Sequence, residues 1–230
     1  MMQPVSEVRT WVVVPAFREG SAIRQTLADL LPRFPNVLVV DDGSDDDTAS
    51  QALAAGATVI RHPLNLGQGA AIQTGITFAL AQGAETVATF DADGQHHADD
   101  LVRMRDELLR SGCDVVIGSR FLGHADGLSP ARRLILKLAI VFTNLTTGVR
   151  MSDAHNGLRI MTADAARRIN ICQDRMAHAS ELVSQIGKLG LSSREMPVTI
   201  TYSPYSLGKG QKLTNSFRIL ADLVSGWLLR

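Results

Sequence analysis

Two carboxylates, Asp91 and Asp93, lie two positions apart directly after an apolar run at residues 86–90, and Gln95 follows them. Carboxylates at the end of a buried strand are costly unless a cation or hydrogen-bond donors neutralise them. Mg²⁺ and Mn²⁺ bind through one or two carboxylates and complete their coordination with water and substrate phosphates. The pattern therefore predicts a divalent-metal and diphosphate site at Asp91, Asp93 and Gln95, with a solvated acidic turn as the alternative.

A second acidic loop, residues 41–47, follows the apolar run that ends at Val40. Asp41 and Asp42 stand closest to that run, where a carboxylate can accept hydrogen bonds from a nucleobase or a ribose. Residues 45–47 fit better at the start of the next helix, because a helix dipole favours negative charge there. Asp41 and Asp42 are thus the candidate binding residues of this loop.

The elements that must position these loops alternate along the chain. Short apolar runs predict strands at residues 12–14, 37–40, 58–61, 86–90 and 114–118. Apolar residues at helical spacing predict helices at residues 22–31, 48–55, 69–82 and 101–111, the first of them capped by Ser21. The alternation predicts an α/β fold, a doubly wound and mostly parallel sheet with helices on both faces. Ligands bind beyond the carboxyl ends of such strands, so both acidic loops should meet there.

The second half of the chain has a different pattern. It predicts an apolar helix at residues 132–148, a polar loop at 152–159, a helix at 180–189, a strand at 197–202 and a helix from 213 onwards. Because no linker or repeat divides the chain, we expect one domain over residues 1–230, with its first half to residue 120 and its second half from 121. Residues 134–149 and 217–229 predict amphipathic helices that lie on a membrane or cover the core.

Composition narrows the partners. Lys+Arg and Asp+Glu each total 23, so no net field attracts nucleic acid. Hydrophobic residues make up 45% and charged residues 20%, which is typical of a folded globular protein. No uncharged apolar run reaches the roughly 18 residues of a membrane-spanning helix. Cys113 and Cys172 lack metal-ligand spacing, so we expect free thiols and a cytoplasmic location.

Four segments in the first 120 residues resemble the family 2 glycosyltransferases of the GT-A fold in order and spacing. They are VVVPAFRE at 12–19, VVDDGSDDDT at 39–48, NLGQG at 65–69 and FDADGQH at 90–96. The resemblance implies transfer from a UDP- or GDP-linked sugar with inversion at the anomeric carbon, and Mg²⁺ or Mn²⁺ held by Asp91, Asp93 and Gln95. The implied donor-binding residues are Pro15, Ala16, Phe17, Glu19, Val40, Asp41, Asp42, Asn65, Gly69, Asp91, Ala92, Asp93 and Arg120, with Lys209 and Lys212 closing over the diphosphate.

The second half resembles the dolichyl- and polyprenyl-phosphate sugar transferases of that family. The matching features are GSR at 118–120, the Arg132 and Arg133 pair, DAHNGLR at 153–159 and the basic loop at 208–212. The resemblance implies an undecaprenyl-type phosphate acceptor, with the enzyme peripheral on the inner face of the cell membrane. The implied acceptor-binding residues are Arg132, Arg133, Asp153, Asn156 and Arg159. The implied catalytic residues are Asp91, Asp93, Arg120, Arg132 and Glu181.

Two other functions stay open. A phosphate acceptor is already ionised at neutral pH, whereas a sugar hydroxyl needs a base. Glu181 lies where hydroxyl-acceptor relatives place that base, so an enzyme that extends a saccharide or lipopolysaccharide with Glu181 or Asp153 as base is the second hypothesis. A noncatalytic protein, which either binds a nucleotide sugar or is an interaction protein recruited to a membrane, is the third. Self-association through the C-terminal helix is also open, and His96 and His97 are interpreted as ordinary loop residues.

Overall fold

The computed structural model describes residues 8–128, 130–147, 149–153, 156–173 and 178–202, without the side chains of residues 130–132, 142, 146 and 147. The strands in these residues are β1 (Thr10–Ala16), β2 (Asn36–Asp41), β3 (Thr58–Arg61), β4 (Thr86–Thr89), β5 (Val115–Asp126), β6 (Arg159–Thr162) and β7 (Ser193–Thr201). The helices are α1 (Ile23–Leu30), α2 (Thr48–Ala54), α3 (Gln68–Ala81), α4 (Ala98–Ser111), α5 (Pro130–Thr147), α6 (Ala163–Arg168) and α7 (His178–Lys188).

The seven strands form one sheet in the order β3-β2-β1-β4-β6-β5-β7. Every neighbouring pair is parallel except the two pairs of β6, which runs antiparallel to both β4 and β5. The predicted doubly wound, mostly parallel sheet is therefore confirmed, and the single reversed strand makes it a mixed sheet.

Alternate residues of β1 serve two separate cores, because successive strand side chains point to opposite faces. Val12 and Val14 are fully buried together with residues of α1 and α4. Val13 is buried on the other face with residues of α3 and α7. There α3 lies close to the sheet, since a Cβ at Gly75 would be 2.1 Å from Cγ1 of Val13. Helices thus cover both faces of the sheet, as predicted. The packed sheet holds in place the edge loops that contain the candidate site residues.

The sequence patterns do not predict β6 or α6. β6 has only four residues and begins with Arg159, which is 1% exposed between β4 and β5. A charged first residue and a length of four leave no alternation that would mark a strand. β6 is a strand because it pairs with β4 and β5. The last residue of the predicted polar loop at 152–159 is therefore the first residue of a strand inside the sheet.

Two predicted details are wrong. β5 continues to Asp126 instead of ending at Gly118, and beyond a register shift its outer part pairs only with β7. Ser21 does not cap α1, because Ala22 occupies the N-cap position without a side-chain cap bond. The carbonyl of Glu19 accepts the first amides of the helix instead.

Helix α5 has 18 residues and confirms the long apolar helix predicted at 132–148. Among the described residues, no helix has both the length and the apolar character that crossing a membrane requires. The helix predicted from residue 213 and the basic loop with Lys209 and Lys212 lie outside the described residues.

Candidate active site

The carboxyl ends of β1, β2 and β4 meet at one edge of the sheet, since these strands run parallel. β6 runs the other way, so its first residue, Arg159, pairs with Thr89 at the end of β4. The segment before β6 therefore reaches the same edge from the opposite direction. This edge gathers the loop after β1, both acidic loops and residues 156–158.

Asp91 is the central carboxylate of this edge. Its Oδ1 accepts a hydrogen bond from Nε2 of Gln68 at 3.2 Å, and its Oδ2 lies 3.1 Å from Nε2 of His96. Burial alone would raise the pKa of this carboxyl, but the hydrogen bond and charge of His96 outweigh burial, helped by Arg159 and His178, and the pKa is lowered. Asp91 is therefore held as a carboxylate, with its side chain 29% exposed at the edge.

Asp93 follows Asp91 and carries the opposite shift. Burial and the negative charge of Asp91 raise the pKa of Asp93 to about 6. Its Oδ1 accepts the backbone amide of Gln95 at 3.1 Å, and the Gln95 side-chain amide donates to its Oδ2. A divalent cation bound between two carboxylates that repel each other in this way would neutralise both.

The side-chain oxygens at this edge are of the kind that Mg²⁺ or Mn²⁺ binds. In the part of the chain that the structure describes, no group of three or more His, Cys, Asp or Glu side chains is arranged to hold a metal by itself. Asp91, Asp93 and the Gln95 oxygen would supply part of an oxygen shell, which diphosphate and water complete for these hard cations. The structure brings the predicted ligands together, and their role as ligands stays a prediction.

Asp42 is 2% exposed, and both of its oxygens are engaged within the protein. Oδ1 accepts the amide of Leu66 at 2.9 Å, and Oδ2 accepts the amide of Gly67 at 2.7 Å. Oδ1 also lies 2.8 Å from Nδ1 of His62. The carboxylate therefore anchors the loop after β3, including the predicted donor residue Asn65, to the end of β2. The nucleoside contact of Asp42 stays a prediction.

The loop after β1 is tied to the loop after β2. Arg18 has a positive φ of 55°, and its amide donates to Oγ of Ser44 at 2.9 Å. The amide of Glu19 donates to Oγ1 of Thr48 at 2.8 Å. These bonds hold Phe17 and Glu19 half-buried at the edge. The other residues of β1 and β2 that are predicted to bind the sugar donor are buried: Pro15, Ala16, Val40 and Asp41.

Arg120 and Asp153 form a buried ion pair. Nε of Arg120 lies 2.6 Å from Oδ2 of Asp153, and the Arg120 amide donates to the same oxygen at 3.0 Å. Burial would lower the pKa of Arg120, but the charge of Asp153 and the contact with Tyr202 raise it. Burial lowers the pKa of Arg159 to about 10 against the charges of Asp91 and Asp153. Both arginines place positive charge near the edge where an anion would bind.

The other predicted acceptor residues differ in exposure. Asn156 is fully buried, and its Oδ1 accepts the amide of Leu158 at 2.9 Å. Arg133 is exposed on α5. The backbone of Arg132 belongs to the first turn of the same helix, and its side chain lies outside the described residues. The structure thus groups Asn156 with the edge and Arg133 with the surface of α5.

Glu181, the predicted base, is half-buried in the first turn of α7. Its carboxylate accepts the amide of Cys172 at 3.1 Å and the amide of Gln173 at 2.8 Å. The loop that it holds lies against the start of α3, where a Cβ at Gly69 would be 2.0 Å from the carbonyl oxygen of Gln173. Glu181 therefore supports the segment that packs on the predicted donor residue Gly69.

The sequence patterns do not select Gln68 or Gly157, and His96 is interpreted from them as an ordinary loop residue. Gln68 and His96 both contact Asp91, and the His96 side chain is only 3% exposed. Both stand inside the matching segments at 65–69 and 90–96, but no spacing rule selects them. Gly157 packs against the Asp91 carboxylate, and a residue without a side chain gives no chemical signal in a sequence.

The family model described as "Glycosyl transferase family 2" matches residues 11–169. The chain belongs to the glycosyl transferase family 2, and the predicted enzyme class, a glycosyltransferase, is confirmed. The protein named "Uncharacterized protein MJ1222" of Methanocaldococcus jannaschii is 36% identical over 96% of this chain and 93% of its own length.

Two further relatives carry functional names. The UDP-N-acetylglucosamine–dolichyl-phosphate N-acetylglucosaminyltransferase of Methanococcus voltae is 27% identical over 93% of this chain and 94% of its own. The polyprenol monophosphomannose synthase of Mycolicibacterium smegmatis is 28% identical over 96% and 88%. The predicted resemblance to the dolichyl- and polyprenyl-phosphate branch is thereby confirmed.

A solved structure confirms the GT-A-like fold. The glucosyl-3-phosphoglycerate synthase from Mycobacterium tuberculosis, in complex with Mn²⁺ and uridine-diphosphate-glucose, superposes with a TM-score of 0.73. The match covers 95% of this chain and 79% of that one at 19% sequence identity. At this identity the likeness concerns the fold alone.

We expect Asp42→Asn to lower the free energy of unfolding by about 2 kcal/mol, because an amide nitrogen would replace an oxygen that accepts a buried backbone N–H. Urea denaturation followed by circular dichroism measures the change. Asp45→Asn is the matched control, since that carboxylate is exposed and pairs with Arg18, and exposed ion pairs contribute little. Equal effects of the two substitutions would contradict the anchoring role of Asp42.

Proposed function

We propose that this glycosyltransferase moves a sugar from a UDP- or GDP-linked donor to a polyprenyl phosphate of the undecaprenyl type. The observation that carries the proposal is the pair Asp91 and Asp93, two carboxylates whose burial and repulsion favour a bound divalent cation. The relatives named for dolichyl phosphate and polyprenol support the acceptor class. The Mn²⁺ and uridine-diphosphate-glucose of the Mycobacterium tuberculosis synthase support the donor class.

The first 120 residues would form the donor half of one domain. Asp91, Asp93 and Gln95 would hold Mg²⁺ or Mn²⁺, which supplies stabilisation of the negative charge on the departing nucleoside diphosphate. The loop after β1, bound to Ser44, and the loop that Asp42 anchors would enclose the nucleoside. Lys209 and Lys212, which lie outside the described residues, would close over the diphosphate by the same proposal.

A phosphate acceptor matches the state of the two candidate bases. Asp153 is fully buried in its ion pair with Arg120, and Glu181 accepts backbone amides with its carboxylate. A sugar hydroxyl would need one of these carboxylates to take its proton, whereas a lipid phosphate is already ionised. A phosphate oxygen would attack the anomeric carbon opposite the leaving diphosphate, which inverts the configuration.

The exposed face of α5 fits a lipid-borne acceptor. Leu134, Leu138, Val141 and Leu145 are each at least half exposed and follow one another at helical spacing. The helix carries no acidic residue, and Arg133 and Lys137 are exposed beside this apolar row. Such a helix can lie in the interface of an anionic bilayer. It supports a peripheral location on the membrane, for which we propose the cytoplasmic face, and Arg132 in the first turn would bind the acceptor phosphate by the same proposal.

A transfer assay tests the proposal. The purified protein is incubated with undecaprenyl phosphate, Mn²⁺ or Mg²⁺ and a panel of UDP- and GDP-sugars, and lipid-linked sugar is measured by mass spectrometry. We expect one donor to give acceptor-dependent product, and Asp93→Asn to lower turnover by about 100-fold or more, because charge stabilisation in the transition state is lost. Arg132→Ala should raise the KM for the lipid phosphate.

The matched control is Asp99→Asn, the same change at an exposed carboxylate of α4 that pairs with Arg33. Its turnover should stay within about twofold of the unchanged protein, as expected for a surface position. Transfer to a saccharide but not to the lipid would contradict the acceptor class. Metal-dependent donor binding without turnover on any acceptor would favour the noncatalytic hypothesis.

A second substitution separates the two acceptor chemistries. Glu181→Gln should change the turnover with undecaprenyl phosphate by less than about threefold, because an ionised acceptor needs no base. If Glu181 were the base for a hydroxyl acceptor, the same change would lower turnover by about 100-fold or more. Initial rates at saturating donor decide between these values, and circular dichroism confirms that the variant is folded.

A third substitution tests the surface of α5. Leu145 is 80% exposed. We expect Leu145→Glu to weaken binding to phosphatidylglycerol-containing vesicles by about tenfold, because the variant loses the leucine side chain that would be buried in the lipid. Vesicle sedimentation measures the bound fraction. Leu53→Glu on α2 is the control, since Leu53 is 62% exposed and lies on another helix. The same loss in both variants would contradict a specific role of α5.

A further inference from the structure

Gly157 stands beside the predicted metal site without any role that its backbone explains. It lies two residues before the start of β6, and its carbonyl oxygen accepts a hydrogen bond from Oγ1 of Thr89 at 2.6 Å. Its φ is not among the positive values that favour glycine. The backbone at this position could therefore be adopted by any residue, so the absence of a side chain must have another cause.

The cause is the position of the Asp91 carboxylate. A Cβ built on Gly157 would lie 2.1 Å from Oδ2 and 2.4 Å from Oδ1 of Asp91, and its third nearest atom is Cγ of the same residue. Non-bonded carbon and oxygen atoms do not approach so closely. The space that a side chain at 157 would need is thus filled by this one carboxylate.

Two hydrogen-bonding side chains hold the Asp91 carboxylate in that space. Gln68 Nε2 lies 3.2 Å from Oδ1, and His96 Nε2 lies 3.1 Å from Oδ2. A methyl group at position 157 would push the carboxylate off both donors, because the short Asp91 side chain can rotate while the surrounding backbone stays in place. The carboxylate would then leave the orientation that these two hydrogen bonds set.

We infer that Gly157 is a positioning residue for the metal and diphosphate site: its missing side chain creates the slot in which Gln68 and His96 orient the Asp91 carboxylate. The inference rests on the proposed function only for the metal. The steric relation between Gly157 and Asp91 is independent of which sugar or acceptor the enzyme uses.

A double-substitution cycle tests the steric relation without any assay of activity. We expect Gly157→Ala to lower the Tm by about 4 °C in the otherwise unchanged protein, as overpacking does in a domain of this size. In the Asp91→Ala background the same change should lower the Tm by less than about 1 °C, because the carboxylate is gone. Equal losses in the two backgrounds would overturn the inference.

Gly75→Ala provides a matched control for this cycle. Its Cβ would also lie 2.1 Å from a neighbour, but that neighbour is Cγ1 of Val13 in the core. Its effect on the Tm should therefore be the same with and without Asp91→Ala. If Gly157→Ala does not fold in the unchanged background, recovery of folded protein by adding Asp91→Ala supports the inference, and failure of the double variant contradicts it.

A metal titration tests the positioning role. With UDP present, the Mn²⁺ concentration that gives half-maximal UDP binding should rise by about tenfold or more in Gly157→Ala and stay unchanged in Gly75→Ala. A structural role alone would not separate the two variants in this way. An unchanged Mn²⁺ requirement in a folded Gly157→Ala protein would overturn the positioning role. Absence of transfer to a lipid phosphate would refute the proposed acceptor and leave this titration valid.

Discussion

Negative charge at the end of β4 is the constraint on which the carboxyl edge depends. The contact with His96 and the buried charge of Arg159 lower the pKa of Asp91, whereas burial and the charge of Asp91 raise the pKa of Asp93 to about 6. The protein thus favours the ionised form of Asp91 more than that of Asp93. The neighbouring loops are fixed by hydrogen bonds within the protein, as between Arg18 and Ser44, and this would preorganise the edge for the proposed cation and diphosphate.

The reversed strand β6 makes this arrangement possible. In a purely parallel sheet, only segments that follow strands reach the carboxyl edge. β6 brings in a segment that precedes a strand, and with it Asn156 and Gly157 from the second half of the chain. The buried Arg159 at its first position then supplies positive charge from inside the sheet, where a loop residue would be exposed to water.

The sequence predicts the regular part of the fold and the meeting of both acidic loops at one edge of the sheet. Apolar strands, helical spacing and paired carboxylates at strand ends are local patterns. From them the sequence predicts β1 to β4 correctly, and it predicts that Asp91 and Asp93 lie at the edge where these strands end. β6 could not be predicted, because pairing with distant strands creates it. Gly157 could not be predicted either, because its proposed role depends on the space that the carboxylate of Asp91 occupies, and Asp91 is distant in the sequence. His96 stands in a matching segment, but only its contact distinguishes it from a loop histidine.

The excursion between β5 and β6 has a consequence for how such enzymes change. After Arg120 the chain continues through the outer part of β5 and through α5, and it returns to the middle of β5 at Ser152 and Asp153. There Oγ of Ser119 lies 2.7 Å from Oγ of Ser152, and Arg120 pairs with Asp153. A segment clamped at both ends can vary in length and surface while the sheet and its donor edge keep their geometry. New acceptors would then arise by replacement of this clamped excursion, with the donor chemistry inherited unchanged.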